Sequence, residues 1–373
     1  MTITSLRRAV LPGVATLALA LSGCAASNET DTATGGGSDT EAAELSGQYT
    51  IGGASSQEAA QLAWTTGFTE VAPDVTMTYE PVGSGGGRES FISGAYIVAG
   101  SDAYLTDDEG ELSDATERCS GEAPIEVPNY VSPIAIIFNV DGVDELNLTP
   151  DTLGAIFAGE ITEWDDAAIA EENPDADLPS APINAVHRSD ESGTTENFTN
   201  YLDVAASDSW TGGVVETWPN EFGGEGAQGT SGVVSAVTDG QNAIGYADAS
   251  QAGDLGTANI QVGEEFVAPT PEAAANILAV SPLAESAEEN QLIYDLDYLT
   301  EEADAYPIVL TSYMIACPTY EDAAEAEVAK AYLDYVLSPE GQEQGANEAG
   351  AAPLESGLQE DALAIVDTIT AGS

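Results

Sequence analysis

The 373 residues include 65 Asp and Glu against 6 Lys and Arg, which gives a formal net charge of −59. The negative electrostatic potential of so acidic a chain makes nucleic acids and anionic membrane surfaces poor partners. Hydrophobic residues make up 43% of the chain, enough for a sizeable core, and the length predicts two domains or lobes.

The chain begins with a pattern typical of export. Arg7 and Arg8 precede an apolar run over residues 9–21, and small residues then lead to Cys24. The run is too short for a comfortable membrane span and resembles a bacterial lipoprotein signal, with Cys24 as the lipidated first residue of the mature protein. The alternative is an ordinary secretory signal. We therefore predict a signal peptide over 1–23 and a disordered polar tether over 24–45.

Strands and helices alternate in the first part of the mature chain. Ser55 or Ser56 is predicted to cap the first helix. The expected elements, in order, are a strand over 48–53, a helix through Ala60 and Phe68, a strand over 75–79, a Gly/Ser turn over 83–87 and a helix over 88–93. A strand, a glycine-rich turn and a helix aim backbone N–H groups at an anion. A flexible loop is the alternative for the glycine run, which lacks the spacing of a nucleotide-binding loop.

Asp102 follows Ser101 at the end of the next expected strand. One interpretation is a simple helix cap. The other is a carboxylate beside an anion site, which tolerates only a ligand that carries a proton for it to accept.

The alternation continues through the rest of the chain. A buried strand is expected over 131–140, and Thr149 is expected to cap a helix that has Pro150 at its first position. The remaining elements are strands over 183–186, 243–247 and 307–315 and helices over 233–237 and 323–337. This order predicts an α/β protein whose ligand sites lie at the carboxyl ends of strands.

Cys119 and Cys317 are the two cysteines left after the signal. An exported chain meets an oxidising compartment, so the sequence favours a disulfide between them. Two isolated thiols and a single histidine make a metal site an unfavourable interpretation.

The most informative stretch is Arg-Ser-Asp-Glu-Ser-Gly-Thr-Thr at 188–195. Ser192 is a good N-cap, and the first turn of the helix that follows offers unpaired N–H groups. Arg188 stands beside those donors, and Asp190 can hold its guanidinium in place. An ordinary capped turn is the alternative. Because the mature chain has only four cations, one Arg among neutral donors suits its composition better than a wide basic cleft.

Four motifs in this order resemble the phosphate-binding proteins of phosphate-specific ABC importers. They are Gly-Ala-Ser-Ser at 53–56, Gly-Ser-Gly-Gly-Gly at 83–87, Gly-Ser-Asp-Ala-Tyr-Leu-Thr at 100–106, and the stretch at 188–195 with Asn-Phe-Thr at 197–199. The likeness continues through 156–159, 164–166, 243–246 and 351–354. It therefore covers almost the whole mature chain.

The resemblance implies a two-lobed periplasmic-binding-protein fold of type II-like architecture, with a mixed sheet flanked by helices in each lobe. Two hinge crossings, near Val131 and Tyr306, would place residues 46–130 and 306–373 in a discontinuous lobe 1 and residues 131–305 in lobe 2. The implied function is capture of inorganic phosphate by a lipid-anchored monomer outside the cytoplasm and its delivery to membrane permease subunits, without cofactor, metal or catalysis.

The resemblance also implies a phosphate-binding set. Arg188 would supply the charge, oriented by Asp190, and Asp102 would accept the ligand's proton. Hydroxyl and amide donors complete the set: Ser55, Ser56, Ser84, Ser192, Gly193 and Thr194. Two departures stand out, because the family usually has Thr-Phe at 55–56 and often glycine where this chain has Glu191.

Three other interpretations are open at this point. Sulfate, molybdate or tungstate could be the ligand, although an ionised Asp102 would repel a fully ionised oxyanion. A hydrolase would need Ser192 or Ser84 as nucleophile with His187 as base, yet His187 and Arg188 are neighbours on a strand and point to opposite faces. A calcium site at Asp295 and Asp297 lacks the loop glycine and the terminal glutamate.

Overall fold

The computed structural model describes residues 45–107 and 110–372 of the chain. The predicted signal peptide, Cys24 and nearly all of the predicted tether lie outside the described residues. Within the described ranges, no helix combines the length and the apolar character that crossing a membrane requires.

The described strands are numbered in chain order. They are β1 Ser46–Gly53, β2 Asp74–Glu80, β3 Ala99–Ser101, β4 Ile125–Asn139, β5 Asn147–Leu148, β6 Asn184–Arg188, β7 Glu225–Ala227, β8 Ala243–Asp248, β9 Gly256–Thr257, β10 Asn259–Val262, β11 Glu265–Val267, β12 Val309–Ala316, β13 Thr319–Tyr320 and β14 Thr370–Ala371.

The helices are numbered in the same way. They are α1 Glu58–Val71, α2 Ser84–Ile92, α3 Glu111–Arg118, α4 Pro150–Phe157, α5 Ala167–Glu172, α6 Gly193–Ala205, α7 Gly229–Asp239, α8 Pro271–Val280, α9 Ala323–Leu337, α10 Pro339–Ala349 and α11 Ser356–Val366. Short 3₁₀ turns occupy Ser55–Gln57, Asn220–Phe222 and Ala249–Gln251.

One mixed sheet runs through the molecule in the strand order β2-β1-β3-β12-β4-β8-β6-β7, with β9 also paired to β4. β1 is parallel to β2 and β3, and β6 is parallel to β7 and β8. β12 and β4 are antiparallel to each other and join the two parallel groups. This arrangement, with helices on its faces, confirms the predicted α/β class with a mixed sheet.

β4 pairs with a different strand in each half of its length. Its residues from Ile125 to Pro133 pair with β12, and those from Ile134 to Asn139 pair with β8. Val131, the predicted position of the first crossing, lies next to this change of partner. A nearly continuous apolar strand suits such a position because both faces of β4 are buried.

The predicted cap of α4 and the N-cap assigned to Ser192 are both present in the structure. Thr149 caps α4 by accepting from the Thr152 N–H, and Ser192 caps α6 by accepting from the Thr195 N–H, both at 3.2 Å. The prediction that Ser55 or Ser56 caps the first helix was wrong. α1 follows a 3₁₀ turn, its N-cap is Gln57, and no side chain caps it.

Two further boundaries differ from the prediction. The glycine run is not a turn before a helix: α2 already begins at Ser84, because Gly83 adopts a φ of +96° and turns the chain into the helix. No helix was predicted after 323–337, yet Pro339 begins α10. Its missing N–H costs nothing in the first turn, and Ser338 provides the cap.

Cys119 and Cys317 form the predicted disulfide. The bridge joins the residue after α3 to the residue after β12, across 198 positions of sequence, and both cysteines are buried. It ties a peripheral helix to a central strand.

Candidate anion-binding site

The predicted site residues lie where strands end and helices begin. Ser55 and Ser56 follow β1, Asp102 follows β3, and Arg188 ends β6. Ser84 starts α2, and Gly193 and Thr194 start α6. All of these side chains are at most 2% exposed. The fold therefore brings segments from both parallel groups of strands to one enclosed polar point.

The Asp102 carboxylate lies at the centre of this enclosed polar site. Ser56 donates its hydroxyl to both carboxylate oxygens, at 2.8 and 2.7 Å. Thr194 donates to Oδ2 at 3.0 Å, and Ser312 donates to Oδ1 at 2.6 Å. Burial raises the pKa of Asp102, while these hydroxyls and the charge of Arg188 act in the opposite direction.

Asp190 holds the Arg188 guanidinium on one side, and the other side of the guanidinium contacts Thr194, which donates to Asp102. Its Nε and Nη2 donate to the two oxygens of Asp190 at 2.8 and 2.5 Å. Its Nη1 donates to the Thr194 hydroxyl at 3.4 Å. Burial would raise the pKa of Asp190, but the hydrogen bonds and charge of Arg188 lower it overall. The predicted orienting role of Asp190 agrees with this geometry.

The start of α6 packs directly against the segment around Asp102. A Cβ on Gly193 would lie 2.8 Å from Ser84 Oγ and from the Ala103 nitrogen. Only glycine permits this approach, which sets the amides of the first turn beside Asp102. The Asn197 side chain stabilises the contact by donating to the Asp102 and Gly193 carbonyls, each at 2.8 Å.

Ser55 and Ser84 face the same region with different partners. The Ser55 hydroxyl accepts from the Thr230 N–H at 3.0 Å and lies 3.1 Å from the Thr230 hydroxyl. Ser84 Oγ accepts from the Asp102 N–H at 3.2 Å. Ser192 is engaged as the cap of α6. Each hydroxyl is thus fixed by a backbone donor.

Sequence reasoning missed several residues that complete the site. Thr230 opens α7, Gln251 donates to the carbonyls of Ser55 and Ser56, and Tyr246 meets both Arg188 N–H and the Thr195 hydroxyl. The signal for Thr230 was present, since Gly-Thr-Ser at 229–231 is a second glycine-led helix start. Ser312 left a fainter signal, since it and Thr311 are the polar pair within a buried strand that is mostly apolar.

Glu191 is exposed rather than buried in the site. Its carboxylate packs over Gly85, where an added Cβ would lie 2.4 Å from the carboxyl carbon. Burial and then the neighbouring Glu216 raise its pKa. The Glu191 carboxylate, which is close to the predicted anion-binding residues in sequence, therefore lies outside the enclosed group of hydroxyl donors around Asp102.

His187 is not positioned as a catalytic base for the candidate serines. Its ring stacks on Trp218 with 4.9 Å between centroids, and its Nδ1 contacts the Arg188 carbonyl at 2.8 Å. Burial lowers its pKa. Within residues 45–107 and 110–372, no group of three His, Cys, Asp or Glu residues is arranged to hold a metal ion.

Comparison with known proteins places this geometry in a family. The family model of the PBP superfamily domain matches residues 38–340. Phosphate-binding protein PstS2 of Mycobacterium bovis (strain BCG / Pasteur 1173P2) is 35% identical over 324 residues, covering 85% of this chain and 86% of that protein. The chain belongs to the PstS family of phosphate-binding proteins. A more distant member, from Xylella fastidiosa (strain 9a5c), is 32% identical and covers 91% of this chain and 92% of its own length.

Solved structures confirm the fold that the resemblance implied. The high-affinity periplasmic phosphate-binding protein PfluDING, bound with phosphate, aligns with a TM-score of 0.70 and 23% identity, over 85% of this chain and 93% of that one. A substrate-binding protein with bound phosphate from Clostridium perfringens aligns with a TM-score of 0.59 and 22% identity, over 83% of this chain and all of that one. The two-lobed PstS-family fold thus carries the site described above.

Proposed function

We propose that this protein binds inorganic phosphate with high affinity outside the cytoplasm and delivers it to the permease of an ABC importer, without catalysing a reaction. The observation that carries the proposal is a buried Asp102 surrounded by hydroxyl donors beside the buried guanidinium of Arg188. The PstS relatives and the structural neighbours, which are phosphate-binding proteins, support it.

The pairing of a carboxylate with a cation suits a protonated oxyanion. Phosphate near neutral pH carries one or two protons, so Asp102 can accept a hydrogen bond from it. Sulfate carries none, and its charge would meet the Asp102 carboxylate in a site of low dielectric. Arg188 and the hydroxyl and amide donors would bind the remaining oxygens.

The predicted ligand set follows from these positions. We propose that Arg188 neutralises the ligand while Asp190 orients the guanidinium. The donors are Ser55, Ser56, Ser84, Ser192, Gly193 and Thr194. At the start of α6, Gly193 would donate through its amide and Thr194 through both its amide and its hydroxyl. Neutral donors also suit a chain whose net charge is −59, because one local cation then suffices.

Capture by closure of two lobes completes the mechanism. We propose lobe 1 over 46–130 and 306–373 and lobe 2 over 131–305, with β4 at one crossing. Ser55, Ser84 and Asp102 would belong to lobe 1, and Arg188 and Thr194 to lobe 2. Phosphate would enter between open lobes, and the donors would converge on it as the hinge closes.

The protein would act close to its permease as a lipid-anchored monomer. We propose cleavage of residues 1–23 and lipidation of Cys24, with residues 24–45 as the tether. Detergent-phase partitioning of the wild type and Cys24→Ser tests this. Recovery of the variant in the aqueous phase supports the anchor, and equal recovery of both proteins in the detergent phase contradicts it.

The function is tested by calorimetric titration of the mature protein, stripped of bound ligand, with phosphate and sulfate. We expect tight phosphate binding and little sulfate binding, and a large loss of this selectivity in Asp102→Asn. Glu126→Gln is the matched control, since Glu126 is also a fully buried carboxylate but accepts from the Leu105 N–H and the Gln291 side chain, outside the proposed ligand set. Equal affinities of the wild type for sulfate and phosphate would overturn the assigned ligand.

A further inference from the structure

Ser312 is the unexpected partner of the central carboxylate. It lies on β12, is fully buried, and is separated from Asp102 by 210 positions of sequence. Antiparallel pairing of Tyr313 with Ser101 places Ser312 opposite the end of β3. Its hydroxyl donates to Asp102 Oδ1 at 2.6 Å, the shortest of the hydroxyl contacts to that carboxylate.

The three hydroxyl donors to Asp102 differ in what else they can do. Ser56 and Thr194 lie at the starts of helical turns, and Thr194 is also contacted by Arg188. Both are in the proposed phosphate-binding set, so a bound anion competes with Asp102 for their hydroxyl protons. Ser312 stands on a central strand. Among the described residues its hydroxyl has one hydrogen-bond partner, Asp102.

Building on the proposed function, we propose that Ser312 is a positioning residue that keeps Asp102 a hydrogen-bond acceptor and thereby sets the selectivity of the site for protonated phosphate over sulfate. A donor that stays in place when the anion binds stabilises the ionised carboxylate of Asp102 in both the ligand-free and the anion-bound protein. An ionised carboxylate only accepts hydrogen bonds, so it requires a ligand that brings a proton.

The surrounding charges show why a permanent donor matters. Arg188 favours the ionised form of Asp102, whereas burial disfavours it. Burial, and to a smaller extent the charge of Asp102, raises the pKa of Asp248, a second buried carboxylate, and the phenols of Tyr79 and Tyr130 face the same interior. Removing the Ser312 hydroxyl removes a donor that acts against burial, so the pKa of Asp102 rises.

The consequence for selectivity has a definite sign. Once Asp102 is protonated, it donates a hydrogen bond and no longer repels sulfate. If the pKa of Asp102 is raised, its carboxylate becomes protonated at a higher pH than in the wild type. Loss of the Ser312 hydroxyl therefore lets sulfate compete at mildly acidic pH, while phosphate is still bound.

The test compares Ser312→Ala with Ser132→Ala. Ser132 is also fully buried and lies on the adjacent strand β4 opposite Leu310, but within the described part of the chain its hydroxyl makes no hydrogen bond to Asp102. Kd values for phosphate and sulfate are measured by calorimetry from pH 5 to 8.5. We expect Ser312→Ala to reduce the phosphate-to-sulfate selectivity about tenfold at pH 5–6 and less at pH 8.5, because the hydroxyl that is removed donates to a charged group, and such hydrogen bonds are stronger than those between neutral groups.

Two further variants separate positioning from packing. Ser312→Thr keeps a hydroxyl and should restore most of the selectivity, including in the event that Ser312→Ala folds poorly. In an Asp102→Asn background, Ser312→Ala should cause no further change in selectivity, because its effect passes through the carboxylate. An additional loss there would contradict the proposal.

The outcomes distinguish the inference from the function on which it rests. Failure of the wild type to select phosphate over sulfate overturns the proposed function. A selective wild type whose Ser312→Ala variant keeps the same selectivity at every pH, or weakens both ligands equally, overturns the inference alone. A loss of selectivity in Ser132→Ala equal to that in Ser312→Ala would do the same.

Discussion

Two buried arginines lie near the same helix starts, and their surroundings differ in one decisive respect. Arg188 has a single carboxylate partner, Asp190, which engages its Nε and Nη2. Arg88 on α2 has two, since its Nε donates to Glu111 and its Nη1 and Nη2 donate to Glu216 at 2.9 and 2.6 Å. The Nη1 of Arg188 donates to a hydroxyl, that of Thr194, whereas all three guanidinium nitrogens of Arg88 donate to carboxylates.

The environment of Arg88 is in fact acidic overall. Glu191 and Glu196 join Glu111 and Glu216 around a cleft of about 400 Å³ beside the guanidinium. The pKa of Arg88 is raised: burial lowers it, but the hydrogen bonds and charges of Glu216 and Glu111 outweigh that effect. Glu216 follows α6, so the pair connects α2 to the other group of parallel strands. The guanidinium of Arg88 thus joins α2 to the segment that follows α6 through ion pairs.

This comparison shows that a cation beside a glycine-rich turn is not sufficient for an anion site. Arg88 and Arg188 both follow that sequence rule, and both are at most 3% exposed. The number of carboxylates that fold back onto each guanidinium decides which one can serve a ligand.

The largest expected effect comes from exchanging each arginine for glutamine. Arg188→Gln should weaken phosphate binding by about two to three orders of magnitude, because removing one partner of a buried charge pair costs about 3–5 kcal/mol. Arg88→Gln should weaken binding by less than about tenfold while lowering the free energy of unfolding by a similar few kcal/mol. Calorimetry and urea unfolding measure the two effects. Equal losses of affinity would remove the distinction drawn between the two sites.

An intermediate effect concerns the acidic surroundings of Arg88. Burial, and then the neighbouring Glu216 carboxylate, raise the pKa of Glu196 to about 8. The folded state therefore binds more protons than the unfolded state above the ordinary glutamate pKa, and stability falls as the pH rises toward 8. Glu196→Gln should abolish this fall and stabilise the protein by about 2 kcal/mol at pH 8.5, with little effect at pH 5.

Urea unfolding at pH 5 and pH 8.5 checks this sign. Glu58→Gln is the control, because Glu58 is exposed at the start of α1. A Glu196→Gln variant that is less stable than the wild type at pH 8.5 would show that the carboxylate is needed in its charged form.

The smallest expected effect is that of Glu191→Gln. Glu191 is exposed, so its charge acts on the anion site through solvent. Removing it should tighten phosphate binding about two- to threefold at low ionic strength, and the gain should disappear in high salt. Calorimetry at two salt concentrations measures it. A weaker-binding variant would indicate that the contact of Glu191 with Gly85 helps to shape the site.

Much of the site followed from short stretches of sequence. The ordered motifs around Ser55, Ser84, Asp102 and Arg188 predicted a shared anion site, and the structure brings these residues together. The cap roles of Thr149 and Ser192 and the Asp190–Arg188 pair were also correct, because each involves residues within a few positions of one another. Such contacts depend on backbone geometry that local sequence dictates.

Local rules failed where a distant partner offered a better contact. Ser55 and Ser56 look like helix caps, but their hydroxyls turn instead to Thr230 and Asp102. The glycine run at 83–87 looks like a loop, yet most of it is helical because the small residues let α2 pack closely against neighbouring segments.

The sequence by itself determined the α/β alternation, the two cysteines that pair, and the residue types of an anion site in a strongly acidic chain. Only the tertiary structure decided that Ser312 reaches Asp102 and that Glu216 neutralises Arg88, across 210 and 128 positions of sequence. The physical reason is that these contacts depend on the register of β12 against β3 and on the path of the segment after α6 beside α2. Neither leaves a periodic trace in the chain, since register and packing are set by the whole core at once.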